Sequence, residues 1–438
     1  MSSHSTHSVE APGASPVKHS IFRSVPFQIT VACGVSFTAP GMWDALGGLG
    51  AGGAAEPYAV SAANAIVYGL FAILPSLRFG AGRHRYPLYG AGLYTNNVNA
   101  TTWFMLFGSA LCGISAGFFW AAEAAIIIGY PSPQDRAFYL AIWQTAKAAG
   151  PIVGGAINLG LNANKSSSGS VGSATYIVFI AIMCLGFPIA LCLSPADRPT
   201  WGGEFKAVFK LMASRRILLL MPAFFISYFY NGFLSTWLTT YFTVRARAFS
   251  SFFTNFAGIF SSFMIAAVLD RQAIFIKTRA KMAFSATVVV LIGTWIWAII
   301  LQKQFYDAET SPVFDWFKGG FGKTYALVFF WTFAGQAFQQ FLYWLVGQYA
   351  TNLSSLSHHT GILRGFEALG QTVAWAMQSQ GHANHFVSIG LNFGILLLAI
   401  FPTWVVLSEL EHSHEVQVPE VNLDEGHVSD DNPKTLKK

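Results

Sequence analysis

The sequence predicts an all-α membrane protein of twelve transmembrane helices in two pseudo-symmetric six-helix halves. Three observations predict it. Only 11% of the 438 residues are charged, 53% are hydrophobic and the mean hydropathy is +0.46; a soluble domain carries about 25% charged residues. Apolar runs close to the ~20 residues that cross a ~30 Å hydrocarbon core recur along the chain. A basic connector, residues 195–216, divides those runs six and six.

Residues 1–24 are rich in Ser, His and Pro with no apolar core. They read as a disordered cytosolic tail, not a signal peptide. The N-terminal half is 25–194. Its first crossing, about Val25 to Met42, is broken by Pro40-Gly41. The Gly-rich stretch from Asp44 to Pro57 reads as a connector, with Asp44 an outer cap or gate. The second crossing runs from about Tyr58 to Leu77 and the third, a short one, from about Tyr86 to Ala100. The fourth and fifth form a hairpin, Trp103 to Ile128 and Ala137 to Leu161, parted by the polar, Pro-containing segment Tyr130 to Arg136. The sixth spans about Ala174 to Leu193.

The connector is partly amphipathic and suited to a membrane surface. The C-terminal half, 217–407, holds six further runs: about Ile217 to Phe242, Phe249 to Leu269, Met282 to Leu301, Tyr325 to Tyr349, Thr360 to Met377 and His385 to Leu407. Residues 408–438 form an acidic tail, with eight Asp or Glu against three Lys, expected to be disordered.

With the N-terminus inside, the inner loops hold thirteen Lys or Arg and the outer loops six. That bias places both termini in the cytosol. The sequons at Asn99 and Asn164 then face outward, where glycosylation is possible, and that at Asn352 faces inward. The net charge of +6 is loop charge for orientation and implies the lipid bilayer, not nucleic acid, as partner. Cys33, Cys112, Cys184 and Cys192 all fall in apolar runs and read as buried thiols.

The halves show traces of a repeat. Arg78, Arg83 and Arg85 follow the second crossing; Arg271, Lys277 and Arg279 follow the eighth with nearly the same spacing. Lys147-Ala-Ala-Gly150 with Ala156-Ile-Asn158 in the fifth crossing matches Glu367-Ala-Leu-Gly370 with Ala376-Met-Gln378 in the eleventh. Two six-helix halves about an axis along the membrane normal form the major facilitator architecture.

Several segments resemble the fungal branch of the uncoordinated-ninety-three family within that superfamily. These are Pro40 to Gly53 (PGMWDALGGLGAGG), Ala63-Asn64, Tyr86 to Tyr94, the hairpin with AGFFWAAEAAI and GYPSP, Thr243-Val-Arg-Ala-Arg-Ala248, the loop from Leu269-Asp270-Arg271 to Arg279-Ala280, and Gly365-Phe-Glu-Ala-Leu-Gly370 with Trp375. The likeness covers about residues 25 to 405. It implies a transporter fold moving an unidentified small solute by alternating access, or, as for some relatives, a regulatory or trafficking partner of another membrane protein. Relatives tend to carry neutral amides where this chain has Asp44, Glu123, Lys147 and Glu367. Asp270 with Arg271 is the closer copy of the superfamily's loop motif, expected to stabilise the inward-closed loops, and Arg78 with Arg83 is a fainter copy, read with them as gating or loop-motif residues.

The charged residues at membrane depth are the candidate site, because a charge there costs a few kcal/mol at the least. Lys147 lies ten residues past Ala137, about 15 Å deep. It either pairs with Glu123 or Glu367 to fix packing, or lines a cavity that binds an anionic group or couples to protons. Glu123 and Glu367 carry the same two readings, and Glu367 has Arg364 one turn away. Gln336, Gln340 and Gln348 share one face of the tenth crossing, a polar packing seam or a solute path. Most tryptophans are expected at the lipid face or headgroup level, and His358-His359 in a solvated loop. No phosphate loop, HExxH or GxSxG in a strand–turn–helix context occurs, so the sequence calls for no enzyme activity, cofactor or metal.

Overall fold

A computed structural model describes residues 25–54, 57–73, 86–129, 135–192, 201–350, 353–380 and 384–410. Arg78, Arg83, the sequon at Asn352 and residues 1–24 and 411–438 lie outside the described residues. Among the described residues, the one backbone bridge outside helices joins Phe242 to Phe314.

The first crossing consists of α1 (Val25–Thr38) and α2 (Pro40–Gly47). Pro40 opens α2, the helical position where a missing N–H leaves no bond unmade. Helix therefore continues past the break to Gly47, and Asp44 belongs to the crossing rather than to an outer connector. A 3-10 turn, Ala51–Gly53, follows, with Gly50, Gly52 and Gly53 all at positive φ, a geometry that favours glycine. Next come α3 (Tyr58–Ile73), α4 (Tyr86–Asn99), α5 (Thr102–Gly129), α6 (Arg136–Asn162) and α7 (Ser173–Ala190). α8 (Trp201–Met212) links the halves.

The seventh crossing is again two helices, α9 (Arg215–Ile226) and α10 (Tyr230–Tyr241), followed by α11 (Val244–Leu269), α12 (Ile276–Tyr306), α13 (Phe321–Gly347), α14 (Leu353–Gln378) and α15 (His385–Ser408). The first crossing of each half is thus interrupted. Among the described residues, five stretches are long and apolar enough to span a membrane by composition alone: Ser173–Ala190, Arg215–Tyr241, Val244–Leu269, Ile276–Tyr306 and His385–Ser408. Other crossings carry polar residues on faces turned into the bundle; α6 buries Gln144, Lys147, Asn158 and Asn162.

The halves meet where α6 packs on α11 and α3 on α14. Gly155 makes the first contact possible: a Cβ there would lie 2.5 Å from the Phe252 backbone nitrogen.

Three expectations need correcting. Most tryptophans are interior: Trp143, Trp237, Trp331 and Trp344 are fully buried, while Trp103 is 69% exposed. Lipid is as apolar as a leucine side chain, so hydrophobicity alone does not send a ring outward. Here the rings pack tilted or edge-on, as Trp331 does 5.0 Å from Trp295 and 5.9 Å from Trp237. His359 is buried in the first turns of α14, its Nδ1 2.7 Å from the Ser355 carbonyl. Cys184 and Cys192 face outward rather than inward.

Candidate functional site

Both interrupted crossings border a central cavity of about 160 Å³ between the halves. Four charged residues line it: Asp44 from α2, Lys147 from α6, and Arg364 and Glu367 from α14. Gln336 from α13 and Trp43, Trp120, Tyr228 and Tyr230 complete much of the wall.

Lys147 is 8% exposed. Its ammonium lies 3.7 Å from Asp44 Oδ2, beyond the 2.7–3.2 Å of an N–H···O hydrogen bond. It stands 4.9 Å from the Trp120 ring centre and 5.6 Å from that of Tyr228. The expected partners are engaged elsewhere. Glu123 is buried away from the cavity, where its Oε1 accepts from the Ser36 hydroxyl and from Trp143 Nε1 at 3.0 Å, tying α5 to α1 and α6. Glu367 is bound to the Arg364 guanidinium one turn away, and its Oε2 accepts from Gln339 at 2.7 Å and Ser227 at 3.3 Å. Lys147 and Glu367 line one cavity without pairing.

Arg364 reaches the opposite half, its guanidinium 4.5 Å from the Trp120 ring centre and 5.1 Å from that of Phe71. An amide cluster also crosses between halves. Gln144 Nε2 donates to Gln336 Oε1 at 3.0 Å and Gln339 Oε1 at 3.3 Å, and the Tyr228 hydroxyl lies 2.7 Å from both oxygens. Of the two readings for this face, Gln340 fits the packing seam: its Nε2 donates to the carbonyls of Ala137 and Ser262, each at 3.1 Å. Gln348 sits past the end of α13.

Hydrogen bonds join the halves at both ends of the cavity. At one end Asp270 Oδ2 accepts from the Phe138 backbone N–H at 2.8 Å. Burial raises the Asp270 carboxyl to about 6, against the pull of the Phe138 and Ala137 amides. Arg271 beside it is exposed. At the other end Arg247, 2% exposed, donates to the Gly169 carbonyl at 2.8 Å. There Ser235 Oγ accepts from the Ala51 N–H at 2.8 Å, and Ser251 Oγ donates to the Ala45 carbonyl at 2.9 Å.

Sequence reasoning missed Arg247, Gln144, Tyr228 and the cavity position of Asp44. One signal was available: interrupted segments at corresponding positions of two halves point to a transporter's binding site.

Residues 86–376 match the Major Facilitator Superfamily. The chain belongs to that superfamily. UNC93-like protein 1 of Arabidopsis thaliana is 31% identical over 401 residues, covering 82% of this chain and 85% of its own. The Notoamide biosynthesis cluster protein O′ of Aspergillus versicolor is 30% identical over 436 residues, 94% of each chain. The superfamily fold is seen again in the xylose transporter XylE from E. coli, partially occluded and inward open, with a TM-score of 0.58 at 12% identity over 88% of this chain and 99% of that one. In this member of the UNC93-like group two opposite charges, Asp44 and Lys147, share the cavity.

Proposed function

We propose that this superfamily member is a secondary transporter that carries a small solute through the central cavity by alternating access, with the Asp270 end and both termini in the cytosol. The observation that supports it best is Lys147: a buried ammonium facing the cavity, midway between two ends that are each tied by bonds between the halves. A charge so placed needs a partner, water or a ligand, and a scaffold protein has less reason to keep it. A volume of about 160 Å³ lies below the 300–1,000 Å³ of pockets for drug-sized ligands, so the solute is small.

The test needs no knowledge of the solute. A Cβ on Gly48 would lie 3.3 Å from Ser251 Cβ, close to disulfide spacing. In a background with the four native cysteines replaced by serine, Gln336→Cys reports access to the cavity. With Gly48→Cys and Ser251→Cys reduced, an impermeant maleimide should label position 336 from either side of the membrane. With the pair oxidised, labelling should persist only from the Asp270 side. Labelling indifferent to the disulfide would mean a static scaffold and end the transport reading.

A further inference from the structure

We infer that the solute is a small zwitterion, its carboxylate bound by Lys147 and its ammonium by Asp44; this rests on the transport reading and names its substrate class. The first argument is the count of charge. Among the described residues lining the cavity, two are cationic, Lys147 and Arg364, and two anionic, Asp44 and Glu367. A solute with net charge leaves one buried charge without a counterion, the costly arrangement in low dielectric. A zwitterion adds one charge of each sign.

The second argument is that only one of the two pairs is available. Arg364 and Glu367 are 4% and 1% exposed at their side chains, and Glu367 accepts from two further donors. Lys147 and Asp44 are 10% and 33% exposed and stand 3.7 Å apart, an ion pair without a hydrogen bond. Among the described residues no protein acceptor lies within hydrogen-bond distance of the Lys147 ammonium, which opens on the cavity. A carboxylate can take up its three N–H donors. The Asp44 carboxylate, the more exposed partner, is then free to hold an ammonium beside Tyr68 and Tyr230, which line the same wall. A zwitterion thus converts one loose pair into two close ones.

The third argument is size. A cavity of about 160 Å³, below the 300–1,000 Å³ of pockets for drug-sized ligands, suits a small amino acid.

The experiment uses the full chain in lipid nanodiscs and three matched sets of probes: glycine, L-alanine and β-alanine; L-lactate, which lacks the amine; and L-alaninol, which lacks the carboxylate. At least one zwitterion should bind about tenfold or more tighter than lactate or alaninol, the usual scale for a hydrogen bond to a charged group. Asp44→Asn should turn the preference toward lactate and Lys147→Gln toward alaninol. Lys147→Arg, which keeps the charge, should keep the zwitterion preference and shows that the site tolerates substitution. Equal or tighter binding of lactate or alaninol to the unaltered protein, an order of preference unmoved by either neutral substitution, or no binding of any zwitterion would each overturn the inference. Tracer uptake into proteoliposomes separates the two claims. A zwitterion bound but not moved would leave the site and remove transport; lactate or alaninol moved in preference would leave transport and remove the zwitterion.

Discussion

The Arg364 guanidinium lies 4.5 Å from the centre of the Trp120 ring, so a cation of the C-terminal half rests on an indole of the N-terminal half. The Lys147 ammonium stands 4.9 Å from the same ring. Trp120 therefore holds both cations of the cavity, and moving one half against the other must disturb at least one of these contacts.

Removing Arg364 alone should be severe. Arg364→Met leaves Glu367 buried and uncompensated, a loss on the order of 3–5 kcal/mol. The double change Arg364→Met with Glu367→Gln removes the orphaned charge and should recover much of the loss. Unfolding midpoints of the three proteins in one detergent check this; a double variant no more stable than the single one would contradict the pairing.

Glu123 and Lys147 should part company on neutralisation. Glu123→Gln keeps an oxygen for Ser36 and Trp143 and should leave both fold and uptake close to those of the unaltered protein. Lys147→Gln should leave expression intact and cut uptake at least about tenfold. Comparable losses from both would return Glu123 to the transport path.

Asp270 supplies a pH dependence. Its folded carboxyl titrates near 6, above the usual carboxylate value. A raised value means that the folded state favours the neutral acid. The contribution is then fully present below about 4 and is lost as pH rises through 6. Thermal midpoints measured from pH 4 to 7 should fall across that window, and Asp270→Asn should flatten the fall. An unchanged slope in the variant would assign the dependence to other groups.

Asn164 is exposed beside the Arg247 end, as is Asn99 at the tip of α4. If that end faces outward, protein made in a glycosylating host should shift in mobility on deglycosylation, and Asn164→Gln should remove most of the shift. Terminal tags should be protected from protease in right-side-out vesicles. Accessible tags would reverse the orientation.

The fold was legible because lipid imposes its own pattern. Runs such as Ile276–Tyr306 and His385–Ser408 announce themselves by length and hydropathy, and Pro40 marks a break that the chain does contain. The positions of Lys147 and Glu367 on the cavity wall were legible from rarity of charge. Their partners were not. Asp44 looked like loop because it stands among glycines, yet α2 runs on to Gly47 and carries it opposite Lys147. Arg247 sits among small residues in VRARA, and nothing in that string says that its side chain crosses to Gly169. Such pairings depend on which helices touch, and one sequence holds no record of that. The tryptophans misled for a related reason: an amphipathic ring suits the headgroup region and the bundle interior equally.

The tight seam at Gly155 separates the glycines into two kinds for anyone preparing a sturdier form of this protein. Where backbone faces backbone, as at Gly155 against Phe252, even a methyl group forces the helices apart. At Gly293 in α12 and at Gly390 and Gly394 in α15, an added Cβ meets nothing within 4 Å. Alanine at each of those three sites should raise stability by about 0.4–1 kcal/mol through a less flexible unfolded chain, while leaving untouched the surfaces on which the halves meet.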